Sequence, residues 1–118
     1  MEEENKNDKI DIRDLLGIAQ QLIRLQELQQ QLLDKVKAGD ESAVPLLVDS
    51  WEKMAVSIAN RYQNQGLSME QMIQLGKQGL TKAAQRDLGS SRKRSEFVRF
   101  GAWWARQEIL MGIANLKK

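Results

Sequence analysis

The sequence has no cysteine, no histidine, a single proline and only six aromatic side chains in 118 residues. Lack of cysteine removes any disulfide framework and any thiolate nucleophile. Lack of histidine removes the common zinc sites, Ser-His triads and imidazole bases. No stretch approaches the roughly 18 apolar residues of a membrane span. The opening Met-Glu-Glu-Glu-Asn-Lys is acidic where a secretory signal starts basic and turns apolar. A cytoplasmic protein with no membrane attachment is expected. The carboxylates show no spacing that suggests a paired acid and base, and no Gly-rich phosphate loop precedes a helix. Asp40 and Glu41 read as helix-capping residues. The chain is therefore expected not to be an enzyme, and no metal or cofactor is expected.

Charge is present in both signs but is unevenly placed. Residues 1–76 carry 8 basic and 13 acidic side chains, whereas residues 77–118 carry 10 basic and 3 acidic, so a net charge of +2 conceals a basic C-terminal third. Such polarity suits contact with a polyanion, nucleic acid among them, although surface Lys and Arg often only solvate a helix.

With one proline and no alternating pattern, the chain reads as helices joined by short Gly-containing turns, an all-α bundle with four main helices. Residues 1–9 read as a flexible acidic tail and residues 10–118 as one helical domain. Leu15, Ile18, Leu22, Leu25, Gln29, Leu32 and Val36 step by three and four along a first helix ending near Gly39, with Gln29 the one polar interruption. Packing within the chain is the expected use of this seam, pairing with another chain through Gln29 the alternative. A second helix, capped by Asp40 or Ser42 with Pro45 in its first turn, carries Val44, Leu47, Val48, Trp51, Ala55, Ile58 and Tyr62 and closes at Asn64-Gln65-Gly66. Ser68 and Gln71 form a capping box for a third helix, on which Gly76 and Gly79 would let another backbone approach closely. Asp87-Leu88-Gly89-Ser90-Ser91 reads as a loop.

The fourth predicted helix, about 96–116, is the most informative. Val98, Ala102, Ala105, Ile109, Ile113 and Leu116 form an apolar seam sufficient to dock it. Phe97, Phe100, Trp103 or Trp104, and Gln107 recur on a neighbouring face, interspersed with Arg92, Lys93, Arg94, Arg99 and Arg106. Four of the six aromatic side chains thus lie within eight residues of the most basic segment. Cations for phosphates, interleaved with rings for unstacked bases, are what binding to a single strand or a flipped base requires. The opposing reading is that these rings are core and the cations a solvated rim.

Several segments together resemble region 2 of the sigma-70 family of bacterial RNA polymerase sigma factors. They are Leu32-Leu33-Asp34-Lys35-Val36-Lys37-Ala38-Gly39-Asp40-Glu41-Ser42-Ala43, Val56-Ser57-Ile58-Ala59-Asn60-Arg61-Tyr62, Gly66-Leu67-Ser68, Ile73-Gln74, Gly76, Gly79-Leu80 and Ala102-Trp103-Trp104-Ala105-Arg106-Gln107-Glu108-Ile109. The resemblance covers about residues 32–118 and keeps order and spacing. It implies a sigma region 2-like helical bundle that binds the polymerase core and captures flipped bases of the non-template strand at the minus-ten promoter element. By position, Gln71, Ile73, Gln74, Leu75, Lys77 and Gln78 would meet polymerase, with Gln74 the best match. Phe100 stands where the family usually has a Tyr that stacks on a flipped adenine. Trp103 and Trp104 match the tryptophan pair at the upstream fork, Phe97 another melting aromatic, and Gln107 a residue that reads the upstream edge. Lys93, Arg94, Arg99 and Arg106 are expected phosphate partners.

The departures from the family pattern are specific. Gln71-Met72-Ile73-Gln74-Leu75-Gly76 stands for Asp-Leu-Ile-Gln-Glu-Gly, so both acidic side chains expected to meet basic residues of polymerase are missing, and Lys77 adds a positive charge. Ser95 and Arg99 replace an aromatic and a small polar residue of the melting segment. Because no helix-turn-helix pattern follows to read the minus-thirty-five element, the chain is expected to be a fragment, half of a split sigma factor or a repurposed descendant. A separate chain supplying minus-thirty-five recognition, or an anti-sigma factor, is then a further expected partner. The alternative is a helical regulatory protein that binds a sigma factor, an anti-sigma factor or another protein without melting a promoter.

Overall fold

The computed structural model describes residues 11–86 and 93–116. The tail 1–9, the loop Asp87 to Ser91 and Arg92 lie outside the described residues. Within them the chain is all-α, with no strand. The helices are α1 (Ile12–Lys37), α2 (Ala43–Asp49), α3 (Glu52–Asn60), α4 (Met69–Arg86) and α5 (Arg94–Leu116).

Local chemistry sets most boundaries. Asp11 starts α1 by accepting the Arg13 N–H on its carboxylate at 3.2 Å. Gly39 ends it with φ +97°, while the Gly39 N–H donates to the Val36 carbonyl and the Asp40 N–H to the Lys35 carbonyl. This is the Schellman arrangement, in which a residue without Cβ takes the left-handed conformation. Of the two expected caps for the next helix, Asp40 does the bonding. Its carboxylate accepts from the Ser42 N–H at 3.1 Å and the Ser42 hydroxyl at 2.5 Å, and Ser42 makes no cap bond of its own. The capping box of α4 forms as expected, with the Ser68 N–H donating to Gln71 Oε1 at 2.8 Å and the Gln71 N–H to Ser68 Oγ at 3.1 Å.

The second predicted helix is two helices, so the count is five rather than four. The apolar period from Val44 to Tyr62 is unbroken, but the Ser50 hydroxyl donates to the Leu47 carbonyl at 2.6 Å and the Ser50 carbonyl accepts from Gln29 Nε2 at 3.0 Å. Trp51 then leaves helical geometry with φ −113° and ψ 23°. A side chain from α1 therefore takes the acceptor a continuous helix would use itself, and the chain bends there.

The core lies where α2, α3, α4 and α5 meet the C-terminal part of α1, with Leu33, Leu47, Met72, Leu80, Phe97 and Ile109 among its fully buried side chains. The α4–α5 pairing is the most extensive. It depends on Gly79, where a Cβ would stand 2.5 Å from the Trp104 carbonyl oxygen and 2.6 Å from Ala105 Cα. The first seam is only half used inside the chain. Gln29, Leu32, Leu33 and Val36 are buried, but Leu15, Ile18, Leu22 and Leu25 are 41–54 % exposed. The other helices do not extend along that end of α1, and the described chain is correspondingly elongated, 62 × 39 × 20 Å.

Gln29→Leu keeps the volume but leaves the Ser50 carbonyl and the Arg94 guanidinium without their partner. A loss of about 3 kcal/mol is expected from unsatisfied buried polar groups, read as a lower urea midpoint with unchanged slope.

Candidate nucleic-acid interface

Helix α5 is anchored at its N-terminus by charge and amide chemistry. The Lys93 N–H donates to Glu96 Oε1 at 3.0 Å. The Arg94 N–H donates to Gln30 Oε1 at 2.7 Å, and Arg94 Nε donates to Gln29 Oε1 at 2.6 Å. The first bond caps the helix locally, and the two Arg94 bonds fix it against α1. They also commit Arg94 to the scaffold, although it was expected among the phosphate-binding cations. Lys93 and Arg99 are exposed, and Arg106 is half-buried.

Phe97 is a correction. It was expected beside Phe100 and the tryptophans as a ring for DNA, but it is completely buried and stacks on Trp51, with centroids 5.0 Å apart and planes 22° from parallel. The seam expected through Val98 and Ala102 turns instead through Phe97 and Gly101, then continues through Ala105, Ile109 and Ile113. Gly101 explains the turn, because a Cβ there would stand 2.9 Å from Leu80 Cδ2. Close approach to α4 at this point rotates Phe97 inward, and Leu116, expected at the end of the seam, is exposed.

The other three rings form one cluster at the edge of the core, with Phe100 and Trp104 packed partly against it and Trp103 outermost. Phe100 meets Trp104 edge to face at 6.3 Å, and Trp104 meets Trp103 edge to face at 5.5 Å, with planes 78° and 87° apart. Trp103 is 49 % exposed, whereas Phe100 and Trp104 are half-buried. Arg86, from the last turn of α4, places its guanidinium carbon 4.8 Å from the centre of the Trp104 ring. The Trp104 indole N–H is buried without an acceptor among the described residues, so apolar and cationic contacts hold this ring. Gln107 is half-buried one turn beyond Trp103, and next to it Glu108 is buried and paired with Lys82 Nζ at 2.9 Å.

Arg86 and the Lys82–Glu108 pair lay beyond sequence reasoning, since they join positions 18 and 26 residues apart through an angle between two helices that periodicity does not specify. The Gln29–Arg94 bond had one signal in the sequence, the polar residue interrupting an apolar seam.

The residues expected at the polymerase divide between two flanks of α4. Gln71, Gln74, Leu75 and Gln78 line one surface depression with Leu67 and Glu70. Ile73 packs against the core, and Lys77 turns to the opposite flank, with Nζ 3.2 Å from Asp49 and 3.1 Å from Glu52. The charge that Lys77 adds is thus partnered inside the chain. Among the described residues no three acidic side chains gather as a metal site, and no helix is long and apolar enough to cross a membrane.

The chain is 35 % identical over 89 residues to the RNA polymerase sigma factor SigA of Clostridium acetobutylicum, covering 75 % of this chain and 23 % of that protein. It is 35 % identical over 91 residues to SigA1 of Synechococcus elongatus, covering 77 % and 21 %, and 38 % identical over 76 residues to SigA of a Synechocystis species, covering 64 % and 17 %. No family model and no solved structure matches. The chain belongs to the sigma-70 family of RNA polymerase sigma factors. It spans about a fifth of the length of these curated relatives.

Two outcomes test this geometry. Phe97→Ala should cost about 3–5 kcal/mol of stability, as for a large core ring, while Trp103→Ala should cost no more than about 1 kcal/mol, as for a surface side chain. Both are measured by urea unfolding. The carboxylates of Glu52 and Asp49 hold the Lys77 ammonium pKa above its ordinary value of 10.5. A raised folded pKa means that the stabilisation is fully present below the unfolded pKa and disappears as pH climbs through the folded one. The unfolding midpoint of the wild type should therefore converge on that of Lys77→Met only above about pH 10.5, with the gap between them constant from pH 6 to 9.

Proposed function

We propose that this chain is a sigma-like transcription initiation component that docks to the RNA polymerase core through α4 and captures single-stranded minus-ten promoter DNA on α5. The observation that carries this reading is the half-exposed ring of Trp103, continuous with Trp104 and Phe100 and accompanied by Arg99 and Arg106. An unpaired base stacks on an exposed indole without any change in fold, and the neighbouring cations meet the backbone phosphates. Phe100 is the second ring available, at the position where the family has its stacking Tyr, and Gln107 follows one turn later. The names of the relatives support the general role in transcription initiation.

The Gln71, Gln74, Leu75 and Gln78 flank is the reading's polymerase surface. It is neutral apart from Glu70, so contact there would depend on amide hydrogen bonds and apolar packing more than on ion pairs. Its Gln side chains reach solvent in the free chain, which leaves them available to a partner's polar groups.

A second reading, a regulator that binds another protein without touching DNA, is favoured by one observation, the exposed apolar half of α1. Binding of a fluorescent single-stranded minus-ten oligonucleotide separates the two. Removing a stacked ring is worth about 1–3 kcal/mol, so Trp103→Ala should weaken binding roughly 5- to 150-fold at constant salt. Affinity unchanged in both Trp103→Ala and Phe100→Ala removes the DNA half of the proposal. Retention on immobilised core polymerase, reduced by Gln74→Ala, tests the other half.

A further inference from the structure

One seam of α1 follows a heptad, with Gln29 its single polar position. Leu15, Ile18, Leu22, Leu25, Gln29, Leu32 and Val36 alternate steps of three and four, the spacing of a and d positions in a two-stranded coiled coil. From Gln29 onward the seam is filled by the chain's own helices. Ahead of Gln29 nothing among the described residues covers it, and Leu16 and Ile23 widen it on one side at 58 % and 54 % exposure. The ten residues that precede Asp11 contain only Met1 and Ile10 as apolar side chains, too few to form a matching row.

We infer that the N-terminal half of α1, residues 12–28, pairs antiparallel with the same segment of a second copy of this chain. Three features select that occupant. First, the seam is self-complementary in antiparallel register. With residue 20 facing residue 20 of the second copy, Leu15 lies opposite Leu25 and Ile18 opposite Leu22, which is the a-to-d pairing antiparallel coiled coils require. Second, parallel pairing is blocked. It would bring both bundles to one end, where each chain's own α2–α5 already fills the seam from Gln29 onward; antiparallel pairing sends the bundles to opposite ends. Third, the positions flanking the seam are nearly neutral. Ala19, Gln21 and Gln26 carry no charge and Asp14 stands alone, so no like-charge row opposes contact.

The overlap is about 25 Å long at 1.5 Å per residue. Two such rows of leucine and isoleucine bury on the order of 1,200 Å² in total, at the lower end of specific interfaces. The pair therefore forms and separates with concentration. Gln29 takes no part, because both ends of its amide are engaged with Ser50 and Arg94.

Sedimentation equilibrium on the full chain, from micromolar to near-millimolar concentration, tests the inference. The mass is expected to rise from 13.5 kDa toward twice that value, and Leu22→Glu should hold it at 13.5 kDa with an unchanged urea midpoint, since Leu22 is 54 % exposed in the single chain. The natural absence of cysteine permits a second readout. Ile18→Cys mixed with Leu22→Cys should form a disulfide between copies on mild oxidation, while neither variant should couple efficiently to itself, because equivalent positions are offset along the axis beyond disulfide reach. A 13.5 kDa species at every concentration assigns the seam to a different protein or to the chain's own N-terminus and overturns the inference. So does a dimer indifferent to Leu22→Glu, or efficient self-coupling of either cysteine variant.

Discussion

The fold turns on one buried amide. Gln29 is 1 % exposed, donates to the Ser50 carbonyl and accepts from the Arg94 guanidinium, so one side chain joins α1 to the bend between α2 and α3 and to the first turn of α5. An isolated amide in an apolar seam would cost free energy, but here its donor and its acceptor both find partners from backbone or a charged group, and charge-assisted bonds are the stronger kind. The neighbouring Gln30 adds a second tie by accepting the Arg94 N–H. Once the start of α5 is fixed there, the rotation of that helix is largely fixed as well. Phe97 faces Trp51, Phe100 and Trp104 pack half-buried against the edge of the core, and Trp103 is left outermost.

That rotation sorts the rings of the aromatic segment by burial. Phe97 stacks within the core, where area and ring contact both stabilise it. Trp103 remains half in solvent, braced at its edge by Trp104, which Arg86 covers on one face. On the proposed reading, a braced indole would have little rotamer freedom left to lose when a base settled on it, so more of the stacking energy would remain as affinity.

What the sequence disclosed and what it withheld follow from the range of the forces involved. The Schellman end at Gly39 and the Ser68–Gln71 box involve residues within a few positions of one another, and they were legible. So was the close approach at Gly79, because a missing Cβ on a buried face has few other uses. The break at Ser50 was hidden because the cause sits 21 residues earlier, in the amide of Gln29. The inward turn of Phe97 was hidden because Val98 and Phe97 differ by one position, and contacts from other elements, the Gln29–Arg94 bond and the close approach of Gly101 to Leu80, decide which of them faces the bundle. Lys77 read as an added surface charge until Asp49 and Glu52 appeared beside it from the segment on either side of the bend.

The same heptad therefore serves α1 in two ways, and Gln29 marks the boundary. On its C-terminal side the seam meets α2, α4 and α5 of its own chain and is sealed. On its N-terminal side it meets none, although the apolar row continues in register without loss of strength. Solvent exposure of a single leucine is ordinary in any protein, but a periodic row over four successive seam positions is not explained by chance placement. A helix needing only to start the fold could have begun near Gln29 with polar residues before it, since the Asp11 cap lies far from the core. Continuation of the seam past the last intrachain contact is a property of association between chains rather than of folding within one.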